Sequence, residues 1–205
     1  MSIDPQAITT LKRRDPTLGR IIDRVGPCTL RPQKPYFAAL CEAIIAQQLS
    51  IKAAATIYRR FRGLFHGRTP TPERLGALSD ADLQAVGLSR QKIGYLRDLV
   101  RKFADRTVPY WRLSTLDENT VITALTQVKG IGVWTAQMFL IFSLNRPDVL
   151  PVGDLGLRKA VELWYELDGL PAEAELIKIG KCWRPYRTVA TWYLWQSLDN
   201  RPLRS

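Results

Sequence analysis

The chain has 205 residues, 46% of them hydrophobic, which is enough for one or two compact units with a substantial core. Thirty Lys and Arg against 19 Asp and Glu leave a formal charge of +11 and a pI near 9.9, so a polyanionic partner is expected, and nucleic acid is the commonest. No apolar run reaches the roughly eighteen residues a membrane span needs, so no membrane partner is expected.

From the N-terminus, MSIDPQAITTLKRRDP lacks an apolar h-region, and no secretory leader is expected. Ile8 and Leu11, then Leu18, Ile21, Ile22 and Val25, predict two short helices divided at Asp15-Pro16. Phe37, Leu40, Cys41, Ile44 and Ile45 recur at i, i+3, i+4, as do Ile57, Phe61 and Leu64. Thr71-Pro72-Glu73 reads as a helix start, with a cap, a proline at the first helical position and an acid in the first turn. Ser79-Asp80-Ala81-Asp82 starts another. Residues 91–104 make a longer helix with Ile93, Leu96, Leu99, Val100 and Phe103 on one face. Apolar runs over 121–128 and 133–142 follow, and helical patterns over 155–165, 161–167, 172–183 and 187–198 complete the set. No stretch alternates apolar and polar residues long enough for a strand, so the class is all-α, with roughly ten short helices. There is no repeat or low-complexity linker, so composition alone marks no domain boundary.

The most informative stretch is LTQVKGIGVWTAQMFL followed by LPVGD. Val128-Lys129-Gly130-Ile131-Gly132 lies between two helical runs, and two glycines one residue apart permit a very tight turn. A helix starting at Val133 presents unpaired N–H groups and the positive end of its dipole, which in a basic protein suits a phosphate. About twenty residues on, Asp154 stands at the start of another helix. The plainer alternatives are a glycine turn between packed helices and an aspartate that only caps. The flanking periodicity, the charge and Asp154 taken together favour a DNA anchor beside a reactive carboxylate, because a helix N-terminus also favours the ionised acid.

Cys28, Cys41 and Cys182 form no C-x-x-C pair, so neither a zinc site nor an iron–sulfur cluster is expected, and reduced thiols in a cytoplasm are. His66 is the only histidine and receives no role. Gln48-Leu49 follows the apolar run Ile44-Ile45-Ala46, which fits either a buried helix end or a wedge that unstacks a base step. Arg59, Arg60, Arg62, Arg68, Arg90, Lys92, Lys129 and Arg158 are candidates for phosphate contact. Trp164 and Trp192 are expected in the core.

These pieces resemble the helix-hairpin-helix DNA glycosylases with a Gly/Pro-rich loop and an aspartate, and most of all their 3-methyladenine DNA glycosylase II branch. Four segments carry the likeness in order: Ala43-Ile44-Ile45-Ala46-Gln47-Gln48-Leu49-Ser50, the hairpin 128–132, Leu150-Pro151-Val152-Gly153-Asp154, and Trp183-Arg184-Pro185-Tyr186-Arg187 with Ala190 and Trp195. The resemblance implies an all-α fold of two helical subdomains flanking an active-site cleft, with residues 45–145 as one and 1–44 plus 146–205 as the other. It implies Asp154 as the catalytic carboxylate, Trp134, Trp195 and Met138 around the flipped base, and Gln48 and Leu49 as the wedge. Residues 128–132 become the phosphate grip, and carbonyls of Thr126, Val128 and Ile131 the ligands of a monovalent cation when DNA is bound. Trp134 stands where lyase members have a Schiff-base lysine, so a monofunctional hydrolase is implied. Met138 replaces an aromatic found in some relatives, which points to a more open pocket. The expected partner is double-stranded DNA with damaged bases. A monomer is expected, in the cytoplasm and on the nucleoid in a bacterium. Which arginines touch phosphate, and whether Gln47 or Gln48 meets the opposite strand, stays open. Two alternatives remain beside alkylpurine excision: a glycosylase for deaminated or mismatched bases, and a hairpin module that binds DNA without turnover.

Overall fold

The computed structural model describes residues 5–32 and 35–199; residues 1–4, the head of the N-terminal stretch in which no leader is expected, lie outside the described residues. Twelve helices and no strand occur among the described residues. They are α1 (Pro5–Arg14), α2 (Pro16–Val25), α3 (Tyr36–Ala46), α4 (Ile51–Gly63), α5 (Pro72–Gly76), α6 (Asp80–Ala85), α7 (Arg90–Ala104), α8 (Glu118–Thr126), α9 (Val133–Phe142), α10 (Leu155–Trp164), α11 (Glu173–Ile179) and α12 (Arg187–Asp199). The chain forms two compact units, one of Gln33–Leu144 and one of the segments before and after it. The first seam thus falls at 32/33 rather than 44/45, because α3 packs on α4, α7 and α9.

In the central unit, α7 is the axis. Its apolar face, with Ile93, Leu96, Leu99 and Phe103 buried, meets α3, α5 and α6. Three helix starts here are capped, the first two where the sequence predicts. Thr71 accepts from Arg74 N–H, Ser79 forms a capping box with Asp82, and Ser89 accepts from Lys92 N–H. The α9 sequence VWTAQMFLIF is apolar on nearly every side, and its interior residues Ala136, Phe139, Leu140 and Ile141 are buried. Val133 and Trp134, in its first turn, are instead about half exposed.

The other unit packs α2 and α10 on α12. Asp15 organises it. One carboxylate oxygen accepts Leu18 N–H and caps α2, while the other accepts Tyr165 O–H and, at 2.7 Å, the indole N–H of the fully buried Trp183. The helix expected over 172–183 ends at Ile179, with Gly180 as its C-cap, where an added Cβ would meet Leu150 at 2.9 Å. The pattern over 161–167 is the end of α10, which stops at Trp164. Trp192 is buried as expected, and Arg24 lies over the face of Trp164.

All three cysteines are free thiols. Burial raises the Cys28 thiol to about 11, pushes that of Cys41 higher still, and raises that of Cys182, with Asp15 adding to the last.

Candidate nucleic-acid interface and active site

Past the end of α8 the chain closes a short turn, with Val128 N–H donating to Leu125 O and Ile131 N–H to Val128 O, both at 3.0 Å. Gly130 sits at the tip with φ +83°. A side chain is barred there twice, by the left-handed backbone and by Tyr95, whose ring would lie 2.2 Å from an added Cβ. Gly132 has a different task from the one its sequence context predicts. It is extended (φ −92°, ψ 176°) as the N-cap of α9, and an added Cβ would meet nothing within 4 Å. Its bareness keeps the helix end open instead of permitting the turn.

Asp98 of α7, buried beneath this loop, went unnoticed in the sequence. Its Oδ2 accepts Lys129 N–H at 2.8 Å and its Oδ1 pairs with Arg101. Burial alone would raise its carboxyl, but the Lys129 N–H and Arg101 outweigh it and hold the group below the ordinary value. The amides of Val128 and Ile131 are therefore used inside the hairpin and that of Lys129 on Asp98, which leaves Gly130 and Gly132 within the run 128–132. The amides of Gly130 and Gly132 have no partner among the described residues. With the first turn of α9 they present backbone donors at the positive end of a helix, a chemistry that suits an anion.

Beside the hairpin runs the turn from α3 to α4. Gln48 is left-handed (φ +55°) and exposed, and Leu49 is exposed too. Ile51, at 91% exposure the barest large apolar residue in the structure, extends this apolar edge. Gln47 is turned inward, its Nε2 donating to Gly130 O at 2.7 Å, so of the two glutamines only Gln48 is left outside. Lys92 is also withdrawn from any phosphate. Its Nζ donates to Ile45 O at 2.6 Å, and burial lowers its affinity for the proton. Arg158 donates its Nε to Pro171 O, whereas Arg59, Arg60, Arg68, Arg90 and Lys129 stay exposed. Met138 lines a cavity of about 150 Å³ with Ala43, Ala46 and Thr135. Glu42 is on its rim, with burial raising its carboxyl and Arg62 lowering it. That acid escaped the sequence reading because it sits in an otherwise apolar helix.

In the other unit Asp154 is the N-cap of α10 and only 9% exposed. Its Oδ1 accepts Leu157 N–H at 2.6 Å and the indole N–H of Trp195, one helix away on α12, at 2.8 Å. The role expected of Trp195 is stacking on the base; the structure adds a bond from its indole N–H to the carboxylate. Gly156 makes room for this pair, since a Cβ there would lie 3.2 Å from Asp154 Oδ1 and 3.5 Å from Trp195 Cδ1. Leu155, next to the acid, is half exposed.

Residues 41–185 match the family model of the HhH-GPD superfamily of base excision DNA repair proteins. The chain is 35% identical over 182 residues to DNA-3-methyladenine glycosylase 1 of Schizosaccharomyces pombe, covering 88% of this chain and 80% of that protein. A crystal structure of a DNA-3-methyladenine glycosidase from Bacillus halodurans superposes with a TM-score of 0.84 at 39% identity, over 96% of this chain and 91% of the other. A 3-methyladenine DNA glycosylase of S. pombe in complex with abasic DNA also gives 0.84, at 34% identity, over 95% and 97% of the two chains.

Proposed function

The chain belongs to the HhH-GPD superfamily of base excision DNA repair proteins, in the 3-methyladenine DNA glycosylase branch, and on that premise we propose how its residues carry out the reaction. It is a DNA glycosylase that hydrolyses the N-glycosidic bond of alkylated purines in double-stranded DNA. The hairpin amides hold a phosphate near the lesion, which positions the protein without reading sequence. Leu49, with Gln48 beside it, enters the stack in place of the damaged nucleotide, which turns out of the duplex. The indole faces of Trp134 and Trp195 are offered to the extruded base, and Met138 borders the space next to α3.

The observation that carries the chemistry is the fixed carboxylate of Asp154. As the C1′–N bond breaks, its electron pair leaves with the base and positive charge grows on the deoxyribose. Asp154, already aimed by Leu157 N–H and Trp195, stabilises that charge. Water then bonds to C1′ and loses a proton to solvent, leaving an abasic site. A purine alkylated at N3 or N7 is cationic in the nucleotide and departs neutral, so no proton donor is needed at the base. Its charge also gains from the aromatic faces. Thr126 and Ile131 carbonyls accept no hydrogen bond among the described residues, and that of Val128 accepts one, so these oxygens suit a hard monovalent cation that would add positive charge beside the phosphate. No iron–sulfur cluster takes part in this scheme. The enzyme acts as a monomer where the DNA is, in a bacterium on the nucleoid.

Asp154→Asn is the test. Asparagine caps well, so fold and duplex binding should survive while single-turnover release of 3-methyladenine falls by about 100-fold or more. Release at the wild-type rate would remove Asp154 from the mechanism. Trp134 supplies no amine, so borohydride added during turnover should trap no protein–DNA adduct and the abasic strand should stay intact. A trapped adduct would make the enzyme a lyase.

A further inference from the structure

One face of α7 touches both DNA-facing devices of the central unit. Lys92 holds the last turn of α3 through Ile45 O, just before the wedge turn. Tyr95, steadied by Gln91 Nε2 at 2.7 Å from its hydroxyl, lies directly under Gly130. Asp98 takes Lys129 N–H. These positions fall at i, i+3 and i+6 on one side of the helix. Gln47 then closes the circuit without α7, running from the end of α3 to the carbonyl at the hairpin tip.

We propose that Gln47 is a positioning residue that locks the wedge turn to the phosphate-gripping hairpin, with Lys92, Tyr95 and Asp98 of α7 as the bar behind them, so that gripping the backbone and inserting Leu49 are one coupled movement of DNA against protein. The geometry requires it. The Gln47 side chain is the joint at which the two loops, 83 residues apart in sequence, hydrogen-bond directly. Its backbone is the C-cap of α3, and the wedge residues are the next two in the chain. A hairpin that holds a phosphate therefore holds Gly130, Gly130 holds Gln47, and Gln47 sets where Leu49 stands. Without the joint the hairpin still binds phosphate, but the wedge is free to shift relative to the step it must enter. This inference rests on the base-flipping reading above.

The experiment replaces Gln47 by Met, which keeps length and packing and deletes only the donor. Three readouts are compared with wild type: affinity for undamaged duplex, single-turnover excision of 7-methylguanine paired with cytosine, and excision of the same lesion opposite an abasic site, where extrusion costs little. Undamaged-duplex affinity should stay within twofold. Excision of the paired lesion should fall about tenfold, the scale of one lost hydrogen bond. The unpaired lesion should be excised within twofold of wild type, because the wedge has little to do. Equal loss on both lesions, or no loss on the paired one, overturns the coupling. Failure of wild type to release 7-methylguanine would instead refute the glycosylase reading. The coupling is then still decided by 2-aminopurine fluorescence beside a tetrahydrofuran site, where Gln47→Met should lower the insertion signal and an unchanged signal would refute the joint.

Discussion

On the reading proposed above, the two units would use opposite means on the same polymer. In the central unit the proposed grip is backbone, the Gly130 and Gly132 amides and the head of α9, with side chains shaping the loop. In the other unit the proposed reactive group is one side-chain carboxylate, held by a backbone amide and an indole. A backbone grip cannot be deleted by truncating a side chain; it is broken only by adding one. A carboxylate site is disabled by a change of one atom type. The difference separates binding from catalysis, so each can be damaged without the other.

Beyond Asp154→Asn, which should strike catalysis alone, the sharpest test of this contrast lies in the two glycines. Gly130→Ala meets both Tyr95 and an unfavourable φ, costing about 1–2 kcal/mol for the backbone and about 1–3 kcal/mol for the crowding. Its melting temperature should fall, and affinity for every duplex should fall with it. Gly132→Val should melt with wild type yet bind all duplexes more weakly, since the new side chain stands where a phosphate must approach. In both, the remaining affinity should still decline with added salt. Calorimetry and titration on plain duplex decide the pair. Normal stability of Gly130→Ala, or undiminished affinity of Gly132→Val, would show that the hairpin is not the anchor.

A smaller effect is expected at Trp195, and it tells gripping of the carboxylate apart from stacking on the base. Trp195→Phe keeps an aromatic face and loses the N–H, so excision should fall about tenfold on cationic and neutral lesions alike. Gly156→Ala, which pushes on the same pair from below, should lower the excision rate similarly while leaving duplex affinity unchanged. If Trp195→Phe lost only cationic substrates, the ring face rather than the N–H would be what matters.

Smallest is the dependence of stability on alkaline pH. Burial raises the folded-state value of Cys28 from 9.0 to about 11, and that of Cys41 further. The unfolded chain gives up these protons first, so their contribution is complete below about pH 9 and erodes above it, that of Cys28 being lost as pH rises through about 11. Thermal unfolding from pH 8 to 11 should show a falling midpoint, shallower in Cys28→Ser. A flat profile would mean that the thiols titrate freely in the folded protein.

The parts legible in the sequence are those encoded locally. Asp15-Pro16, Thr71-Pro72 and the Ser79 box name their own helix starts within four residues, and residues 133–142 read as a helix with the bounds the structure shows. Gly130, Gly132 and Asp154 stood out because a tight turn and a helix cap are short-range patterns. What was missed is nonlocal. Asp98 lies 31 residues from Lys129, Trp195 lies 41 from Asp154, and Gln47 lies 83 from Gly130. No periodicity links such pairs, and each donor or acceptor looks in sequence like an ordinary surface or core residue.

The thiols carry one further consequence. Methylating agents attack thiolates far faster than thiols, and the thiolate is the form these cysteines resist. With Cys28 raised to about 11 and Cys41 and Cys182 also raised by burial, all three are held protonated at neutral pH. The packing that buries these thiols thus also lowers the small thiolate fraction that a methylating agent would attack.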